Sequence, residues 1–386
     1  AFNPLMVSRA EKRLKALGFF KSVQVRRRPG SQRDRVVLEV LVEEQPTGEL
    51  SFGAGYSTAE GVIGDIGFTE RNLFGNGQFL KVKLAGSLER FQIDMSFTEP
   101  RFLDRNLSAG FDLFHKEVDQ SDQSSYKSKK TGGALRLGFP LAEKLWMNTR
   151  YTLTRDEVTV DGSNPSLAIT QAASEGAYYT SALGMTIQYD ARNHPRNPNR
   201  GWFASGSVDV AGLGGDTQYV RVGGEVRGYY PIFTDVTLVG RAIGGHIQGW
   251  GGDDVRLLDL YYKGGETIRG FARSGIGPRD PNGDAIGGTT FWATTAEVRF
   301  PFPFIPDELG MTGAVFADAG AVFGASDFAK AQIPGLADSS EIRSSVGVSL
   351  LWSSPIGPVR FDYAFPLSSA DEDEEQPFRF GASTKF

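Results

Sequence analysis

The sequence predicts an all-β transmembrane barrel of about 16 antiparallel strands, preceded by a small α/β segment. Three observations carry that prediction. From Glu49 onward, apolar and polar residues alternate with a period of two, the pattern of strands with one face in an apolar medium and the other in a polar one. Glycine supplies 48 of 386 residues and aromatics 12%; helices are disfavoured at roughly 1 kcal/mol for each interior glycine. No apolar run reaches the roughly 18 to 20 residues of a membrane-spanning helix, and the mean hydropathy is −0.26. A barrel strand is apolar on one face only, so its average stays polar.

The first 46 residues stand apart from that pattern. Leu5, Val7, Ala10, Leu14 and Leu17 fall at helical spacing, and Gly18 follows as a C-terminal cap would. Two short strands are expected over 22–27 and 35–43, joined by Pro29-Gly30-Ser31. One helix and two strands make a poor independent core. The segment 1–46 therefore reads as the C-terminal part of a small α/β module, and 47–386 as the barrel.

Within the barrel, Leu50, Phe52, Ala54 and Tyr56 alternate with Ser51, Gly53, Gly55 and Ser57. Phe91 to Thr98, Ser345 to Trp352 and Val359 to Phe365 alternate in the same way. Strands are expected to begin near Glu49, Gly61, Gly77, Arg90, Asn106, Tyr126, Lys144, Gly176, Arg200, Asp216, Asp235, Thr289, Gly310, Glu341, Ile356 and Gln376. Every second connection is compact: 71–77, 100–106, 140–144, 192–200, 231–235, 301–308 and 353–358. The others vary, up to the long stretch 251–288. Short turns on one side and variable loops on the other suit an outer-membrane barrel. An even strand count closes the sheet and leaves no edge in lipid. A soluble β-sandwich also alternates, but it would require a second buried face.

Few residues suggest bond-making chemistry. Cysteine is absent and the three histidines (His115, His194 and His246) are far apart, which argues against thiol catalysis and a Cys- or His-based metal centre. The 41 basic and 46 acidic residues leave no footprint for nucleic acid. Gly53-Ala54-Gly55 is a lone glycine pair inside a strand, without the helix a dinucleotide site needs. Arg273-Ser274-Gly275 lacks the preceding glycine of a nucleophile elbow. Asp190, His194 and Asp209 match no ligand spacing, and the acidic run 371–375 reads as an exposed loop. No enzyme activity, metal or cofactor is expected.

The long loop reads Lys263-Gly264-Gly265-Glu266-Thr267-Ile268-Arg269-Gly270-Phe271. This resembles the Arg-Gly-Phe/Tyr loop of the BamA-type outer-membrane assembly factors. Leu17-Gly18-Phe19-Phe20 with Val23 and Val25 is similar to the helix-to-strand passage of a POTRA domain. Ala296 to Pro301, Phe316 to Gly320 and Ser353 to Pro358 resemble the family's later strand motifs. The stretch from Phe378 to Phe386 resembles its terminal strand, with an aromatic last residue. The likeness covers the whole chain in the family's order.

The resemblance implies that the loop folds back into the lumen, where Arg269 meets carboxylates of the wall, Glu297 and Asp318. Ile268, Gly270 and Phe271 complete the motif. Parity agrees for Glu297, which shares a face with Thr295 and Arg299 while Trp292, Val298 and Phe300 take the other. For Asp318 the parity is ambiguous, because Phe316 and Val322 share its face. The resemblance further implies a lateral seam between the first strand (Phe52, Gly53, Gly55) and the last (Phe378, Phe380, Phe386), where client strands pair. Implied partners are unfolded outer-membrane proteins as clients, the lipoproteins of the assembly complex and outer-membrane lipid. The implied location is the bacterial outer membrane, with the N-terminal segment in the periplasm. A translocation-and-assembly factor or a two-partner secretion transporter would share the loop motif, and a passive porin would share the barrel.

Overall fold

The structure, a computed structural model, describes residues 4–32, 35–195, 197–302, 304–354 and 357–385. Helix Pro4–Ala16 ends where Gly18 takes the left-handed conformation (φ +71°) that a side chain would resist. Strands Phe20–Pro29 and Val36–Glu44 then pair antiparallel as a separate two-stranded sheet. Val23 is buried there, but Val36, Val37, Val40 and Val42 stay exposed. So small a unit cannot cover its own apolar residues.

The period-two region forms one closed antiparallel barrel. Its strands start with Gly48–Ser57, Gly61–Leu73, Gln78–Ser87, Arg90–Glu99 and Ser108–Asp119. Tyr126–Ala142, Leu145–Val160 and Tyr178–Asp190 come next. The ribbon Gly201–Phe233 runs unbroken for 33 residues. A straight strand of that length would span roughly 110 Å, against a hydrocarbon core of about 30 Å. It instead doubles back at Gly214 and Gly215 (φ +100° and +87°), which lays the Arg227 guanidinium 6.0 Å over the Phe203 ring. One arm pairs with Tyr178–Asp190 and the other with Val236–Gly249. With Thr290–Pro301, Met311–Phe323, Arg343–Ser354, Gly357–Ser368 and Phe378–Lys385 the barrel has sixteen strands.

Alternation decides what each face touches. Phe52, Ile66, Phe68, Leu84, Ile93, Leu113, Leu135, Leu153 and Val348 project from the outer wall and are exposed, while charged and hydroxyl side chains line the lumen. Among the described residues no helix is long and apolar enough to cross a membrane, and none is needed. A closed barrel satisfies its backbone hydrogen bonds between strands and can present this outer face to hydrocarbon. The long connections fold together at one end. Tyr126, Val158, Ile169, Leu257, Ile286, Ala329 and Ile333 form a core there that joins helix Leu167–Ser174 to helix Asp327–Gln332.

The two faces should respond differently to charge. Leu153→Arg on the outer face is expected to cost about 2 to 4 kcal/mol near mid-bilayer, and Thr152→Arg on the lumen face far less. Urea unfolding in lipid vesicles measures both; equal costs would refute the facing assigned to this strand.

Candidate functional site

The loop between Val236–Gly249 and Thr290–Pro301 does not extend away from the barrel but turns into its lumen. Ile268, Arg269, Gly270 and Phe271 are all buried. Ile268, Phe271 and Ile276 pack on Phe291, Ala293 and Val322 of the wall, which gives the loop an apolar foothold inside an otherwise polar channel. Gly270 has φ +96°, and a Cβ there would lie 3.2 Å from the Ala364 Cβ and 3.4 Å from both Pro366 and Ser345. Conformation and space both call for glycine.

Next to that foothold sits the Arg269 guanidinium, 5% exposed as a residue. Its Nε donates to Asp318 Oδ2 at 2.7 Å and its Nη2 to Oδ1 at 2.8 Å, a two-pronged pairing. Nη1 donates to Glu297 Oε2 at 2.7 Å. The Arg269 backbone N–H also donates to Asp318 (3.1 Å), and its carbonyl accepts from the Ser345 hydroxyl (2.5 Å). The guanidinium carbon lies 3.4 Å over the Phe316 ring. Burial works against its charge, but Asp318 and Glu297 outweigh that and raise its pKa above the usual arginine value.

The network extends along the wall. Arg299 Nε donates to Glu297 Oε1 at 2.7 Å, and Arg360 Nη2 lies 3.5 Å from Glu297 Oε2. Arg360 also pairs with Asp362, which accepts from Ser349. Three arginines thus face three carboxylates, so the cluster is close to neutral. On other strands a luminal cavity of about 670 Å³ is lined by further pairs, Arg136 with Asp112 and Arg150 with Asp209.

Every residue assigned to the loop lock from sequence comes together here: Arg269 with Glu297 and Asp318, between Ile268 and Phe271. The structure also resolves the ambiguous parity of Asp318. Ala314, Phe316, Asp318 and Val322 all face inward and are buried, while Val315 is exposed on the outer wall. The apolar members of that face are covered by the loop rather than by lipid, so alternation alone misleads there. Arg299, Arg360, Asp362 and Ser345 join the site without having been expected in it. Parity with Glu297 marks Arg299 as luminal, but nothing in the local sequence ties Arg360 or Ser345 to the loop.

The seam residues occupy the closing strands. Ring centroids of Phe380 lie 4.8 Å from Phe361 and 6.1 Å from Tyr56, an aromatic row across the closure. Phe52 and Phe378 are exposed on the outer wall. Gly53 faces inward, where a Cβ would meet the Asp65 carboxylate. Gly55 pairs with Ser383 across the closure, and Phe386 lies outside the described residues. Among the described residues the closing ladder runs only from Ser57–Gly381 to Gly53–Lys385. The same first strand pairs with its other neighbour from Gly48–Glu70 to Ser57–Gly61. Among the described residues Gly48 to Ser51 therefore has registered partners on one side only.

Two expectations need correction. The last strand begins at Phe378, not Gln376: Glu375 and Gln376 pair instead with Phe271 and Gly270 of the luminal loop. Nor is the acidic run 371–375 simply a solvated loop, because the Asp373 side chain is fully buried against Arg343. An acidic run is solvated unless a distant cation meets it, and Arg343 lies 30 residues away. The luminal loop also reaches the other side of the closure, with Arg273 3.7 Å from both Glu60 and Glu89.

The Omp85 superfamily domain matches residues 72–386, and the chain belongs to that superfamily. It is similar to the outer membrane protein assembly factor BamA of Neorickettsia risticii, at 30% identity over all of this chain and 51% of that protein. The crystal structure of BamA from Haemophilus ducreyi lacking POTRA domains 1–3 superposes with a TM-score of 0.87, at 26% identity over 98% of this chain and 78% of that one. CdiB from Acinetobacter baumannii shares the fold, with a TM-score of 0.62 at 16% identity over 98% of this chain and 68% of that one. The chain spans about half the length of the curated relatives it matches.

The bonding pattern sets an order among variants. Arg269→Ala strands the buried Asp318 carboxylate, takes one partner from Glu297 and is expected to destabilise the docked loop by roughly 3 to 5 kcal/mol. Asp318→Asn should loosen it more than Glu297→Gln, since Asp318 accepts both prongs and a backbone N–H while Glu297 keeps Arg299. Trypsin cleavage within 263–273 reports the loop's release; the reverse order would contradict this assignment.

Proposed function

We propose that this chain folds and inserts β-barrel proteins into the bacterial outer membrane by offering its closing seam as a template for client strands. The observation that carries the reading is the half-paired first strand. Among the described residues the first strand holds five registered pairs across the seam, against ten with its other neighbour. An unpaired edge in an apolar medium strongly favours strand addition. Backbone pairing demands little of the client's sequence, as an assembly factor with many clients requires. Similarity to BamA over the whole chain supports the same reading.

On this reading the activity is non-enzymatic: the protein lowers a folding barrier without making or breaking covalent bonds. Pairing at the seam supplies register and orientation, which a client hairpin otherwise finds only after closing long loops. The docked loop joins both sides of the closure, since Gly270 and Phe271 pair with the approach to the last strand while Arg273 reaches Glu60 and Glu89. The Arg269 lock thereby fixes the frame against which the seam opens. The helix and two-stranded sheet at the N-terminus would be the last part of a POTRA domain in the periplasm. Clients would be unfolded outer-membrane proteins, met together with lipoproteins of the assembly complex.

The test is client folding by purified protein in liposomes, followed by gel-mobility shift. Folding should accelerate by roughly tenfold or more over empty liposomes, and less with Arg269→Ala. A disulfide formed by Ser57→Cys with Gly381→Cys should remove the acceleration, and reduction should restore it; an oxidised seam that still accelerates folding refutes the template. The chain has no native cysteine to interfere.

A further inference from the structure

Resting on the reading of the seam as the client-binding edge, we propose that Arg343 and Asp373 are positioning residues for the last strand. They hold its approach segment so that the seam stays in register, and they do so separately from the Arg269 lock. Both side chains are essentially inaccessible, at 1% and 0% exposure. Arg343 Nε and Nη2 meet Asp373 Oδ2 and Oδ1 at 2.9 and 3.2 Å. Its remaining Nη1 donates to the Glu341 carbonyl at 2.8 Å and the Ser339 carbonyl at 3.3 Å. Asp373 Oδ2 also accepts from the Ala370 N–H at 2.8 Å. The arginine grips a wall strand's entrance with one prong and the final loop with the other two.

The residues after Asp373 give the pair its leverage. Glu374 exchanges backbone hydrogen bonds with the luminal loop, accepting from Ala272 at 2.8 Å and donating to Gly275 at 2.9 Å. Glu375 and Gln376 continue that ladder against Phe271 and Gly270. The Pro377 carbonyl accepts from Ala364 at 2.8 Å, and the last strand starts at Phe378. A buried ion pair thus fixes the start of a five-residue run that ends at the seam strand. The closing ladder begins only at Gly381, so Phe378 to Phe380 is held by its ladder to Phe361 to Tyr363, by Thr58 and by this run. The Arg269 side chain is held by other strands, Thr290–Pro301 and Met311–Phe323, while its carbonyl takes the Ser345 hydroxyl from Arg343's own strand. Arg343 stands opposite Gly320 on the strand next to that of Asp318, but among the described residues the two ion pairs share no hydrogen bond, so either can be released without breaking the other's bonds.

The test needs no client, so its outcome does not depend on whether the seam templates anything. Spin labels at Tyr56 and Ala382 report the seam distance in the full chain in liposomes, and trypsin cleavage in 263–273 reports the luminal loop. Asp373→Asn keeps shape but loses the charge. It should raise the open-seam population about tenfold, a shift of about 1.4 kcal/mol, with the loop still protected. Arg343→Lys, which retains charge but not the fork, should fall between Asn and wild type. Heat-modifiable gel mobility confirms the barrel for each variant, and Arg343→Lys stands alone if Asp373→Asn does not fold. A seam distance unchanged from wild type would overturn the proposal. So would loss of loop protection together with the seam, which would make the pair a general support of the loops rather than a positioning device.

Discussion

A guanidinium inside a barrel beside Phe316 and a packed apolar loop is tenable only if its charge is matched nearly atom for atom, because burial of an unpaired charge costs several kcal/mol. Arg269 meets that condition with Asp318, Glu297 and the Phe316 ring. Much else depends on it. Once the arginine is placed, Gly270 must turn tightly against the wall, Phe271 fills the apolar foothold, and the loop's next residues come within pairing reach of Glu374 to Gln376. Glu297 is held in turn by Arg299 and Arg360, which spreads the constraint to neighbouring strands. The loop behaves as a part of the wall.

The barrel is legible in the sequence because alternation reports directly on which medium each face meets. Strands such as Arg90–Glu99, with Phe91, Ile93, Met95 and Phe97 outward, state their own register. The ribbon Gly201–Phe233 divides near Asp216 because Gly214-Gly215 marks a reversal. Legibility ends where another segment changes the medium. Phe316 and Val322 are apolar yet luminal, since the loop covers them. Gln376 continues the period of the last strand but pairs with Gly270 instead. Asp373 reads as a solvated acid until Arg343 is brought to it from across the sheet. Each of these depends on a contact remote in sequence, which local pattern cannot encode.

The last strand contrasts with the rest of the sheet. Most neighbouring strands pair along most of their length, as lipid requires of exposed backbone, whereas among the described residues the last strand holds five registered pairs on each side. At the closure the described ladder reaches Gly53, and among the described residues Gly48 to Ser51 pairs on one side only. Phe380, between Tyr56 and Phe361, supplies side-chain contact where backbone pairing is short. On the proposed template reading, a seam held partly by aromatic contact and partly by a tethered loop parts without dismantling the other strands.

The central claim is that client strands pair with the free edge of the first strand. Photo-crosslinking from single sites along 48–52 to an unfolded outer-membrane protein, during its folding in liposomes, tests it most directly. The account predicts crosslinks to one client strand whose partner shifts by one residue at each step, the signature of a registered antiparallel ladder. Crosslinks scattered over the client, or formed only from luminal positions such as Thr152, would contradict it.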